Sequence, residues 1–250
     1  MCFELDSVPP IPPISGAAAS HEDLVLEAAD GNRFTEFAAV PEDPSTRGVV
    51  VLPDVRGLYR FYEELALRFA EHGIAAVAID YFGRTAGVGK RGDEFPYMEH
   101  VNQTTPKTIQ ADVAAAVAYL RGHGATAIFT VGFCFGGRNS WLSAAGDHGL
   151  AGDVGFHGSL LDRNGWVGPI SRAPEMKAPI LALQAGDDAN ITADQNDTFD
   201  AALTAAGVEH EIVTYDGAPH SFFDRHYDQF ARESEDAWQR VLAFIDRYAG

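Results

Sequence analysis

The hydrophobic positions of this chain fall into short, nearly unbroken apolar runs separated by amphipathic stretches of helical period. Gly48-Val49-Val50-Val51-Leu52, Ile74-Ala75-Ala76-Val77-Ala78-Ile79 and Ala127-Ile128-Phe129-Thr130-Val131 show no polar alternation. Such runs predict parallel strands covered on both faces. Further strands are expected near 154–157, 179–184 and 211–215. Helices are expected at 61–72, stopped by Gly73, and at 107–121, 193–206 and 227–248. This alternation implies an α/β fold, a mostly parallel twisted sheet with helices on both faces. Two early runs, Leu24-Val25-Leu26 and 34–40, flank Asp30-Gly31-Asn32. An Asp-Gly turn between strands adds an antiparallel N-terminal hairpin at one edge.

The pattern divides the chain into an arm over 1–20 and one domain over 21–250. In the arm, Pro9-Pro10-Ile11-Pro12-Pro13 reads as extended polyproline II. It either packs on its own domain through Val8, Ile11 and Ile14 or offers a proline motif to a partner. The segment 81–106 is long for a connection in a compact domain, which predicts a role such as roofing a pocket.

Composition narrows the function. With 250 residues and 46% hydrophobic content, the chain can bury the core of one domain. A net charge of -18 leaves no basic patch to neutralise phosphates, so no nucleic-acid partner is expected. The start carries acids where a signal peptide needs cations, and no run approaches bilayer length. A cytoplasmic, soluble protein without a membrane partner is expected, as a monomer or small homo-oligomer. The two cysteines, Cys2 and Cys134, are not expected to pair. Gly83 to Lys90 imitates a phosphate loop, but Arg91 stands where Ser or Thr should bind magnesium. The histidines lack ligand spacing, so neither metal nor cofactor is expected.

The chemistry gathers at three strand ends. The run 127–131 leads into Gly132-Phe133-Cys134-Phe135-Gly136-Gly137. This is the glycine-bracketed turn of a nucleophile elbow, with cysteine at the serine position. A lone cysteine between glycines can also be a packed small hydrophobe. The strand near 179–184 ends in Gly186-Asp187-Asp188, and that near 211–215 in Asp216-Gly217-Ala218-Pro219-His220-Ser221-Phe222. The order Cys134, Asp188, His220 is nucleophile, acid, base, which points to a catalytic triad. The amide of Phe135, which follows the cysteine, can hold an oxyanion.

Together with Leu52-Pro53-Asp54-Val55-Arg56-Gly57-Leu58 and Ile79-Asp80-Tyr81-Phe82-Gly83-Arg84, these segments resemble the dienelactone hydrolase family of α/β-hydrolases over most of 23–250. The resemblance implies a single-domain α/β-hydrolase fold and hydrolysis of a small carboxylic ester or lactone through a thioester on Cys134. It implies that Asp188 rather than Asp187 is the triad acid, and that the Val55 amide is the second oxyanion donor. Substrate-binding candidates are Asp54, Arg56, Arg84, Tyr81, Phe222 and Arg225. The family carries glutamate at the Asp54 position, where it holds the resting thiol; aspartate is a methylene shorter. Arg56 beside Asp54 is either a carboxylate clamp or a simple ion pair. Alternatives on the same residues are an esterase or thioesterase of other specificity, or a non-catalytic thiol or binding protein.

Overall fold

The computed structural model describes residues 7–17, 19–92, 94–163, 165–224 and 226–250, leaving Cys2 and the first part of the arm outside. Its strands are β1 (Ala19–Glu27), β2 (Arg33–Pro41), β3 (Arg47–Leu52), β4 (Ala75–Ile79), β5 (Ala127–Phe133), β6 (Gly152–Phe156), β7 (Ile180–Asp187) and β8 (His210–Pro219). They form one sheet in the order β1-β2-β4-β3-β5-β6-β7-β8. The β1–β2 and β2–β4 pairs are antiparallel and the remaining pairs parallel. The expected hairpin is therefore the sheet edge, closed by Gly31 with φ of 80°.

The long helices are α1 (Arg60–Glu71), α4 (Pro106–Gly122), α5 (Phe135–Ser143), α7 (Ala193–Ala206) and α8 (Ala231–Tyr248). Short turns α2 (Gly83–Ala86), α3 (Tyr97–Val101) and α6 (Pro169–Arg172) complete the set. On one face of the sheet, Phe61, Leu65 and Phe69 of α1 and Trp238, Val241 and Ile245 of α8 pack with Val49, Val51, Phe129 and Val131. On the other face, Ile109, Val113 and Val117 of α4 meet Val50, Leu52 and Val77. Beside them, Trp141 of α5 and Phe199 and Leu203 of α7 meet Ile180 and Ala182. Strands buried on both sides explain the unbroken apolar runs.

Segment 81–106 holds two of the short helices and is tied down. Arg91 donates to Asp80 Oδ2 at 2.8 Å and to the Gly87 carbonyl at 2.6 Å, and the Tyr59 hydroxyl donates to the Gly92 carbonyl at 3.0 Å. The arm packs through Ile11, which is buried, and the Ile14 N–H donates to Glu71 at 3.0 Å. Val8 and the Ile14 side chain remain exposed.

One carboxyl group in the hairpin is out of place. Glu36 of β2 lies between Phe34 and Ala38, fully buried, and among the described residues neither carboxyl oxygen has a hydrogen-bond partner. Burial, then the charge of Glu22, raises its pKa to about 8. The folded chain therefore keeps a proton that the unfolded chain loses above about pH 4.5. The resulting destabilisation grows as pH rises from there to about 8, at ~1.4 kcal/mol per unit. Glu36→Gln removes that dependence. Urea melts at pH 5, 6.5 and 8 are expected to show the variant gaining on the native chain by about 4 kcal/mol across the range. A difference constant with pH would exclude the buried acid.

Candidate active site

Strand β5 ends in a turn too tight for ordinary residues. Cys134 adopts φ of 54° and ψ of -109°, and α5 begins at the next residue. Left-handed backbone at a non-glycine residue costs roughly 1–3 kcal/mol and concentrates at functional sites. The Cys134 N–H donates to the Phe156 carbonyl at 2.9 Å, fixing the turn on β6. A Cβ on Gly136 would lie 1.9 Å from the Leu52 carbonyl oxygen, and one on Gly132 would lie 2.1 Å from the Gly136 oxygen. The glycines thus let α5 start against the loop that follows β3. The thiol is half-buried and unpaired with any other described cysteine.

That loop carries Val55. It is braced by the Tyr81 hydroxyl, which donates to the Pro53 carbonyl at 2.8 Å, and by the Asp54 N–H, which donates to the Tyr62 hydroxyl at 2.9 Å. The N–H groups of Val55 and Phe135 donate to no described residue. Two unengaged amides at the ends of β3 and β5 are what an oxyanion hole requires.

The acid and the candidate base meet directly. A register shift at Ala185/Asp187 in the β7–β8 pairing breaks the strand's alternation just before Asp188. Bulges commonly re-aim a side chain in this way. Asp187 consequently faces solvent while Asp188 is buried. Asp188 Oδ2 accepts from His220 Nδ1 at 2.6 Å and Oδ1 accepts from the Asn190 N–H at 2.8 Å. Burial pushes the Asp188 carboxyl up, but the His220 and Asn190 hydrogen bonds outweigh it and hold the pKa below the ordinary value. An ionised Asp188 fixes the proton on Nδ1 of His220 and leaves Nε2 with a lone pair. The His220 side chain is 34% exposed, so a small molecule can reach it.

The expected binding residues divide. Asp54 is fully buried, and its carboxylate accepts the Arg56 N–H at 2.9 Å and Arg56 Nη2 at 3.4 Å. It therefore faces Arg56, whose guanidinium also lies 5.2 Å over the Tyr59 ring. Arg84, a substrate-binding candidate, is engaged by two carboxylates of the fold. It makes bidentate contacts with Asp30 and a 2.6 Å ion pair with buried Asp112, tying the hairpin turn to α4. Phe222 has no exposed surface and its ring packs 4.9 Å from that of Tyr215. Tyr81 is also buried, with its hydroxyl committed to the loop rather than open to substrate. Arg225 lies outside the described residues.

Two residues near the site escaped the sequence reading. Arg138 of α5 donates to the carbonyls of Ser159, Leu161, Trp166 and Val167, gathering the loop after β6 around one guanidinium. That loop brings Trp166 within 6.1 Å of Phe135. His157 directly follows β6 with φ of 37°. It is fully buried, and its ring centroid lies 4.3 Å from that of His220. Among the described residues neither ring nitrogen has a hydrogen-bond partner, which costs roughly 1–3 kcal/mol. A histidine at a strand's carboxyl end, between the strands of Cys134 and Asp188, was the available signal. No cluster of potential metal ligands occurs among the described residues. No described helix is long and apolar enough to cross a membrane.

Comparison with known proteins follows the same lines. A family model of the dienelactone hydrolase family matches residues 34–249. An Escherichia coli (strain K12) protein named "Putative carboxymethylenebutenolidase" is 30% identical over 231 residues, covering 89% of this chain and 85% of that protein. One of the same name from Saccharolobus solfataricus is 28% identical over 262 residues, covering 90% and 98%. A crystal structure described as "Putative Dienelactone Hydrolase from Klebsiella pneumoniae subsp. pneumoniae MGH 78578" superposes with a TM-score of 0.82 at 28% identity, covering 92% of this chain and all of that one. An elbow at the end of β5, an acid after β7 and a histidine after β8 on this sheet agree with that match, and the chain belongs to the dienelactone hydrolase family of α/β-hydrolases.

Proposed function

We propose that this chain hydrolyses small carboxylic esters or lactones through a Cys134–His220–Asp188 triad and a thioester on Cys134. The observation that carries the proposal is the 2.6 Å Asp188–His220 hydrogen bond at strand ends shared with the elbow. Nε2 of His220 takes the thiol proton, and the sulfur keeps the electron pair and attacks the substrate carbonyl. The amides of Phe135 and Val55 hold the oxyanion. Collapse of the tetrahedral intermediate expels the alkoxide or enolate, which takes the proton from His220. His220 then draws a proton from water, whose oxygen attacks the thioester and releases the acid and the thiol.

Asp54 faces Arg56, which supports a triad that needs no substrate-triggered release of the thiol. Two carboxylates balance Arg84, and Arg56, in the loop of Val55, pairs with Asp54. Acid-quenched mass spectrometry after mixing with 4-nitrophenyl acetate tests the mechanism. An acetyl group on the Cys134 peptide is expected, and Cys134→Ala is expected to lose at least about 10³-fold in kcat. Turnover by Cys134→Ala at the native rate would leave the non-catalytic thiol reading in place.

A further inference from the structure

His157 carries two burdens that a purely structural residue would avoid. Its φ of 37° suits glycine or asparagine, and its buried surroundings suit phenylalanine. Around its ring stand the rings of Phe133, Phe156 and Phe222, at centroid distances of 6.4, 6.5 and 6.3 Å. None of these offers a lone pair. The remaining ring is His220, at 4.3 Å with an interplanar angle of 54°. Native proteins rarely leave a buried nitrogen without a partner, and such a group calls for an explanation. Backbone strain at the same residue points the same way.

We propose that His157 is a positioning residue for hydrolysis, its imidazole holding the plane of the His220 ring against Asp188 and lying beside the charge that forms there. The proposal rests on the reading of His220 as the base. In the resting site Asp188 holds the His220 ring through Nδ1. Rotation about that bond would change where Nε2 points, and a second ring tilted against it at 4.3 Å opposes the rotation. When the S–H bond breaks and Nε2–H forms, a positive charge spreads over the His220 ring. Asp188 meets that charge at one edge. His157 meets it through the tilted ring contact at 4.3 Å, where a neutral imidazole supplies both π-electrons and a dipole. This role needs His157 uncharged. Burial first, and the neighbouring His220 second, hold its pKa well below the ordinary histidine value.

The test uses the full chain and 4-nitrophenyl acetate, with kcat, KM and the pH profile of kcat/KM measured alongside thermal melting. His157→Phe keeps a ring and removes both nitrogens. It is expected to melt no lower than the native chain, because a buried unpaired polar group has gone. Its kcat is expected to fall about tenfold, with KM changed less than about twofold. A limb of its pH profile is expected to move by about half a unit or more. His157→Gln, which restores an acceptor, is expected to recover part of the loss. A His157→Phe enzyme with native kcat and native pH profile overturns the proposal. Should that variant fail to fold, the glutamine variant decides: a shifted pH limb supports the role, and an unshifted one overturns it. His220→Ala keeps the two readings apart. If it stays active, the base assignment fails; if it is inactive while His157→Phe is native-like, only the role of His157 fails.

Discussion

Asp188→Asn is expected to lower kcat/KM for 4-nitrophenyl acetate by roughly 10³–10⁴-fold while leaving the fold intact. The native carboxylate accepts from His220 Nδ1 at 2.6 Å, so the ring keeps its lone pair at Nε2. An asparagine amide can instead donate to Nδ1, which moves the proton to Nε2 and blocks acceptance of the thiol proton. The lost charge also no longer stabilises the imidazolium. Asp188 contributes to stability as well, because its folded pKa lies below the unfolded value. That contribution is present above the unfolded pKa and disappears as pH falls through the folded one. The asparagine variant should therefore melt slightly lower at pH 7 and approach the native chain in strong acid. Steady-state rates with circular-dichroism melts check both parts. A native rate in a folded Asp188→Asn enzyme would remove Asp188 from the mechanism.

Gly136→Ala is expected to damage the fold itself. Its new methyl group would lie 1.9 Å from the Leu52 carbonyl oxygen and 2.4 Å from that of Pro53. Both neighbours are backbone atoms at the end of the central strand β3, so neither can swing aside as a flexible side chain would. Relief requires α5 to withdraw from the β3 loop, which also separates the Phe135 and Val55 amides. Overpacking against rigid backbone places the loss near the severe end for single substitutions, about 4 kcal/mol. For a chain of this size that is a fall in Tm of about 10 °C. Differential scanning calorimetry reads it directly, and any soluble fraction is expected to be nearly inactive. A variant that melts with the native chain would show that the turn tolerates a wider approach.

Legibility in the sequence followed range along the chain. Apolar runs and turn residues act within a few positions, so the central strands and α7 could be read nearly to their ends. The Cys134 elbow was readable for the same reason, since Gly132 and Gly136 serve a turn confined to 132–136. Asp54 and Arg56, two positions apart, were foreseeable as a pair, although only the fold selects which alternative they adopt. Arg84 was not readable. Its partners Asp30 and Asp112 are 54 and 28 positions away, and only the sheet order joins the hairpin turn to α4. The burial of Phe222 was not readable, because closeness to His220 in sequence does not say which side of the chain turns inward. Helix α8 starts at Ala231, after a series of turns that follow His220, rather than at 227. His157 went unnoticed because its significance is a ring contact 63 positions ahead.

The buried acid of β2 makes folding a proton-binding reaction. At neutral pH the unfolded chain holds Glu36 ionised, whereas the folded chain keeps it protonated. Burial moves Asp153 in the same direction: among the described residues one of its oxygens accepts from Thr130 at 2.6 Å and the other has no partner, and its pKa is raised well above the ordinary carboxyl value. Melting at neutral pH therefore discharges the Glu36 proton into the solvent. The heat absorbed in a calorimeter then includes the heat of the buffer that receives it, so the apparent unfolding enthalpy depends on whether that buffer is phosphate or an amine.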